Sequence, residues 1–155
     1  MKISTATQKL AYGLTAIVFA AGLAASSPSQ ADEYPERVNL MKDMGKNLGP
    51  IGKAVKGEMA ADYPAMAKMA AAIRDDSLKL KDMFPAGTDV GDTRALPVIW
   101  EKKADFDAYF DKLASAADAL AKEAATGSVA DLKASFAAVA SNCGGCHKVY
   151  RGAEK

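Results

Sequence analysis

Four stretches of the chain carry apolar residues at helical spacing. In the first, Leu40, Met41, Met44, Leu48 and Ile51 share a face, with Lys42, Asp43 and Lys46 turned away. Asp32 and Pro35 mark the expected start, Gly49-Pro50 is expected to kink or break the ladder, and Gly57 to end it. Asp62-Tyr63-Pro64 repeats the start signal for a second helix along Met66, Met69, Ile73, Leu80 and Met83, which Phe84-Pro85-Ala86-Gly87 stops. A Gly-, Asp- and Thr-rich connection then runs to Leu96, long enough to cross an end of a bundle or cover a cofactor. The third helix opens at Pro97 and runs along Ile99, Phe106, Phe110, Leu113, Ala117, Leu120 and Ala124 to Gly127. The fourth opens at Ser128, with Asp131 three residues on as an acidic variant of a capping box. Its stripe is Leu132, Phe136, Val139, Cys143, Cys146 and Tyr150. Four amphipathic helices, mostly on short loops, predict an all-α protein: an antiparallel up-down four-helix bundle.

Composition agrees. Half of the 155 residues are hydrophobic but only 7% are aromatic, which with abundant alanine favours helices packed through small side chains. A net charge of +1 and the lack of a basic run with interleaved aromatics argue against nucleic acid as a partner. The first residues read as a signal peptide: Lys2 and Lys9, an apolar stretch from Leu10 to Ala25, then Ser29-Gln30-Ala31 at a cleavage site. The apolar run is shorter than the roughly 20 residues of a spanning helix and is interrupted by Tyr12 and Gly13. The expectation is a signal peptide over 1–31, a single domain over 32–155, and no stable membrane anchor after cleavage.

The chemistry lies at the end of the fourth stripe. Cys143-Gly144-Gly145-Cys146-His147 has the C-x-x-C-H pattern of a c-type haem attachment site. Two thiols add across two vinyl groups, and the adjacent imidazole becomes the axial ligand of the iron. These are the only two cysteines and the only histidine of the chain. A structural zinc site needs four ligands, and a thioredoxin-like dithiol expects a βαβ setting. A disulfide here would close a very small loop and stabilise little. The cofactor expected is one covalently attached haem c per chain, and export agrees with it. No second histidine or carboxylate cluster suggests a catalytic set, so no enzymatic activity is expected.

With that motif on the last of four helices, residues 32–155 resemble the class II c-type cytochromes, the cytochrome c′ family. The resemblance rests on Cys143-x-x-Cys146-His147-x-x-Tyr150-Arg151, Phe84-Pro85-Ala86-Gly87-Thr88, Ile99-Trp100 and Arg37-x-x-x-Met41. It implies a haem inside the bundle with Met41 facing the iron opposite His147, and Met44 as the fallback. Arg37, on the same helix face as Met41, is implied to meet a haem propionate. Arg151 is implied to lie near the proximal imidazole, and Trp100, Phe106 and Tyr150 to wall the pocket. The run Leu40-Met41-Lys42-Asp43 is more similar to the low-spin branch. The expectation is therefore a periplasmic electron carrier with a six-coordinate His/Met haem, serving redox partner proteins of unknown identity. The alternative is a five-coordinate, high-spin protein that binds NO or CO. Homodimers are common in the family.

Overall fold

The computed structural model describes residues 30–153. Its helices are α1 (Gln30–Val55), α2 (Tyr63–Lys81), α3 (Val98–Glu101), α4 (Lys103–Thr126) and α5 (Val129–Tyr150). Four of them form the bundle: α2 packs along α4, α4 along α5, and α1 against α2 and α5. Except for Gln30 and Ala31, which begin α1, the expected signal peptide lies outside the described residues.

Local chemistry sets most of the helix ends. The Asp62 carboxylate accepts the Ala65 N–H at 3.0 Å, with Pro64 in the first turn where its missing N–H costs nothing. Gly127 ends α4 in the left-handed region at φ 80°, which favours glycine. One expectation at these ends needs correction. Ser128 is extended (φ −121°, ψ 116°), but its side chain makes no capping hydrogen bond. The Gly127 turn already reverses the chain, and exposed Asp131 is one methylene shorter than the glutamate of a full capping box. The break at Gly49-Pro50 is local, and α1 stays helical from Gln30 to Val55. One ladder bond is necessarily missing there, but the fully buried Ile51 and the buried Ala54 hold the segment against the core.

The expected third helix is two helices. Lys102 (φ −124°, ψ 45°) leaves helical space and separates α3 from α4. The turn of α3 is held from outside: Trp100 Nε1 donates to Pro85 O at 2.7 Å, and Leu96 N–H donates to Tyr150 O at 3.1 Å. Those anchors fix its direction independently of the α4 axis.

Ile51, Ile73, Leu80, Ile99, Leu120, Leu132 and Val139 are almost wholly enclosed. Each such side chain contributes about 1.5–3 kcal/mol relative to exposure. Ala70, Ala117 and Ala124 are buried among them and allow close helix approach. Between α2 and α4, Ser77 Oγ donates to Phe110 O at 3.0 Å. Arg74 pairs with Asp118 at 3.2 Å and Lys81 with Asp111 at 2.8 Å along the rim of the same seam.

Candidate functional site

At one end of the bundle α1 and α5 stand apart around two cavities. The larger, about 460 Å³, is lined on the α1 side by Tyr34, Arg37, Val38, Met41 and Lys42. Cys146, His147, Tyr150 and Arg151 face them. Phe84, Thr93, Arg94, Ala95, Ile99 and Phe106 complete its wall. The smaller, about 170 Å³, runs deeper between Met44, Leu48, Ile73, Phe110, Leu113, Val139 and Cys143. Met41, Cys146 and His147 line both cavities and so form their shared wall.

The helix geometry of α5 produces this arrangement. Cys143, Cys146 and His147 are spaced i, i+3 and i+4, so all three project toward α1 from one face. Asn142 Nδ2 donates to Tyr109 O at 2.8 Å and ties α5 to α4 beside Cys143. A Cβ on Gly145 would stand 3.4 Å from Tyr109 Cε1, so the glycine admits a close approach there, whereas Gly144 meets nothing within 4 Å. Both thiols are free and half-buried. Burial pushes the Cys143 thiol above its ordinary value, and burial together with Cys143 pushes Cys146 up to about 11. A reactive dithiol requires the opposite shift. The His147 imidazole is held below its ordinary value, first by burial and then by the positive charges of Arg151 and Arg94. It is therefore neutral, the form that binds metal.

Arg37 is buried at 5% exposure on the cavity wall rather than exposed at the helix start. Its guanidinium lies 4.6 Å from the Phe84 ring centroid, and Nη2 donates to Thr88 O at 3.4 Å. Met44 is buried and reaches only the smaller cavity. Tyr150 is buried, 5.0 Å from Phe106 and 5.8 Å from Tyr109, centroid to centroid. Arg151 is exposed yet reaches the larger cavity. Trp100 is not a wall residue: it packs beside Phe84 at 6.5 Å and spends its indole N–H on Pro85 O. Its neighbour Ile99 takes that place.

Sequence reasoning missed Tyr34 and Val38, although with Arg37 and Met41 they complete an i, i+3, i+4, i+7 face. It also missed Thr93, Arg94 and Ala95, which lie on a connection with no periodicity to find them by.

Among the described residues no group of three or more His, Cys, Asp and Glu side chains is placed to hold a metal ion by itself. What the site offers is two thiols and a neutral imidazole on one wall, apolar side chains on the others, and Arg37, Lys42, Arg94 and Arg151, with no carboxylate among the described residues of the larger lining. That combination fits an apolar macrocycle that bears two carboxylates and is tethered through sulfur.

Fold and donor set together define a haem-carrying four-helix bundle. The family model described as Cytochrome C′ matches residues 32–151. The chain is 42% identical to cytochrome c′ of Rhodopseudomonas palustris, over 87% of this chain and 90% of that one. Among solved structures, cytochrome c prime from Shewanella frigidimarina superposes with a TM-score of 0.77 at 32% identity, covering 82% of this chain and 99% of that one. A cytochrome c′ described as having ligand-controlled dimer dissociation gives 0.76 at 27%, covering 83% and 100%. A nitric oxide complex of a mutant cytochrome c prime from Alcaligenes xylosoxidans gives 0.72 at 26%, covering 80% and 97%. The chain belongs to the cytochrome c′ family, and its cofactor is a covalently attached c-type haem.

Proposed function

We propose that this protein is a periplasmic cytochrome c′ in which His147 is the only protein ligand of the iron and the opposite face holds NO or CO. The single observation that carries this is the apolar space on Met41's flank. The smaller cavity is lined by Met41, Met44, Leu48, Ile73, Phe110, Leu113 and Val139, with Tyr109, Asn142, Cys143, Cys146 and His147 beside them, a mostly apolar lining that suits an uncharged diatomic better than a charged ligand. Similarity supports it, through 42% identity to a named cytochrome c′ and a structural likeness to one solved with nitric oxide.

Once bound, the haem supplies an iron that changes oxidation state by one electron and takes axial ligands. Cys143 and Cys146 would tether it from α5 through thioether bonds. His147 offers its neutral imidazole from one helical turn beyond Cys143. Met41 and Val38 close the α1 side. Arg37, buried against Phe84, and Arg151 would offer positive charge to the propionates. Phe106 and Tyr150 would pack against the haem and keep water from it.

A second reading has its own observation. Met41 and His147 line the same two cavities, so the Met41 sulfur could complete a six-coordinate His/Met site, and the protein would be an electron carrier for redox partner proteins. Spectra of the purified holoprotein separate the two. The proposal expects a high-spin ferric form, ready uptake of CO by the ferrous form, and little change in Met41→Ala. A low-spin ferric form with a sulfur-to-iron charge-transfer band that Met41→Ala abolishes would establish the second reading instead.

Periplasmic location is part of the proposal. It is supported by the signal-like segment 1–31, and no helix among the described residues is long and apolar enough to cross a membrane. A homodimer is proposed too, supported by the structural relative described as dissociating under ligand control. Catalysis is not part of the proposal.

A further inference from the structure

We infer that Arg94 is a positioning residue whose fixed positive charge raises the reduction potential of the haem iron. This rests on the reading that Cys143, Cys146 and His147 carry the haem. Arg94 lies on the connection between α2 and α3, outside every motif of the sequence. The chain nevertheless places it on the wall of the larger cavity, together with Cys146, His147 and Arg151.

Its place there is clamped from two directions. Gly152 N–H donates to Arg94 O at 2.7 Å, and Arg94 Nε–H donates back to Gly152 O at 2.9 Å. An isolated antiparallel bridge pairs Ala95 with Arg151, and Leu96 N–H donates to Tyr150 O at 3.1 Å. The segment so clamped is the direct continuation of the helix that bears His147: Arg151 N–H donates to His147 O at 3.2 Å. Main chain and side chain therefore hold the guanidinium in one register with the proximal imidazole. An ordinary surface arginine needs no reciprocal pair of bonds to the residue five positions beyond the motif histidine.

The charge has a direction of effect. Ferric iron carries one positive charge more than ferrous iron, so a nearby cation destabilises the ferric state by Coulomb repulsion. An arginine keeps its proton at any working pH, so the bias is constant. The redox step is a one-electron gain by the iron from an external reductant, with no bond made or broken.

The test is a redox titration of the holoprotein, poised with dithionite and ferricyanide, for the wild type, Arg94→Lys and Arg94→Gln. At the wild-type midpoint the Gln variant is expected to shift the ferrous-to-ferric ratio about threefold to tenfold toward ferric; tenfold is 59 mV for one electron. Arg94→Lys, which keeps the charge and loses the Nε bond to Gly152, is expected to shift it less than about twofold, and added salt to shrink the gap between the two. Equal shifts in Lys and Gln would assign the effect to the clamp rather than the charge and overturn the inference, as would no shift in Gln. If the Gln protein does not accumulate, Arg94→Met makes the same comparison. Haem present with an unmoved potential defeats this inference alone. Wild-type protein without covalent haem defeats it together with the reading beneath it.

Discussion

The α2–α4 seam and the α1–α5 gap are built from the same kinds of residue and behave oppositely. Along α2 and α4, buried Ala70, Ala117 and Ala124 let the helices close on one another, with Ile73, Leu80 and Leu120 filling the space between. Ser77 and the Arg74 and Lys81 ion pairs tie the two helices along their length. Helices α1 and α5 meet closely where Gly52 faces the Phe136 ring. Toward Met41 and His147 they stand apart around about 460 Å³ and 170 Å³ of space. One seam is complete as protein. The other is shaped for a group that the polypeptide does not itself contain, and stability and function are divided accordingly.

Removing the tether should break the comparison most visibly. Cys143→Ala with Cys146→Ala is expected to abolish haem retention through denaturation, read by the pyridine haemochrome assay. Hydrogen exchange in the resulting protein should rise in the Tyr34–Leu48 part of α1 far more than in α4. Equal loosening of both helices would show that the two seams are not separate units of stability.

Next in size is Phe106→Ala. Phe106 is 2% exposed and makes edge-on contacts with Phe84 at 4.8 Å, Phe110 at 5.1 Å and Tyr150 at 5.0 Å. It belongs to the protein core and to the cavity wall at once, so a loss of about 3–5 kcal/mol is expected in urea unfolding. A loss confined to haem spectra, with stability intact, would make it a wall residue only.

Two helix glycines sharpen the contrast at smaller magnitude. A Cβ on Gly52 would stand 2.8 Å from Phe136 Cζ, whereas one on Gly144 meets nothing within 4 Å. Gly144→Ala should stabilise by about 0.5–1 kcal/mol through backbone entropy. Gly52→Ala should destabilise by about 1–3 kcal/mol, because the Phe136 ring must move where α1 and α5 meet. Matching gains in both would mean that this contact is loose. The smallest effect belongs to Lys81→Met: its pair with Asp111 is solvent-exposed, and such pairs gain little. Its urea midpoint should move less than that of any variant above, even though the pair spans the closed seam.

Much of this division was legible in the amino-acid order. Asp62 and Gly127 announced their helix ends because a cap acts within three or four residues. The spacing of Cys143, Cys146 and His147 announced one face because α5 is regular. The misses share a cause, which is control from a distance. Nothing local marks Lys102 as a break; bonds that Trp100 and Leu96 donate to the Pro85 and Tyr150 carbonyls hold α3 on its own axis. Trp100 looked like a pocket wall next to Ile99, but a carbonyl fifteen residues upstream captures its indole N–H. Arg94 was invisible because its partner, Gly152, lies at the far end of the chain. The burial of Arg37 depends on Phe84, which helix periodicity alone does not bring near.

The central claim is that Met41 borders the iron's open face without ligating it. The most direct measurement is the ferric and ferrous absorption spectrum of wild type and Met41→Ala, before and after addition of CO. The account predicts a high-spin ferric form in both, with CO taken up readily by both ferrous proteins. A low-spin wild type that resists CO, converted by Met41→Ala into a high-spin protein that binds it, would contradict the account and make Met41 the sixth ligand.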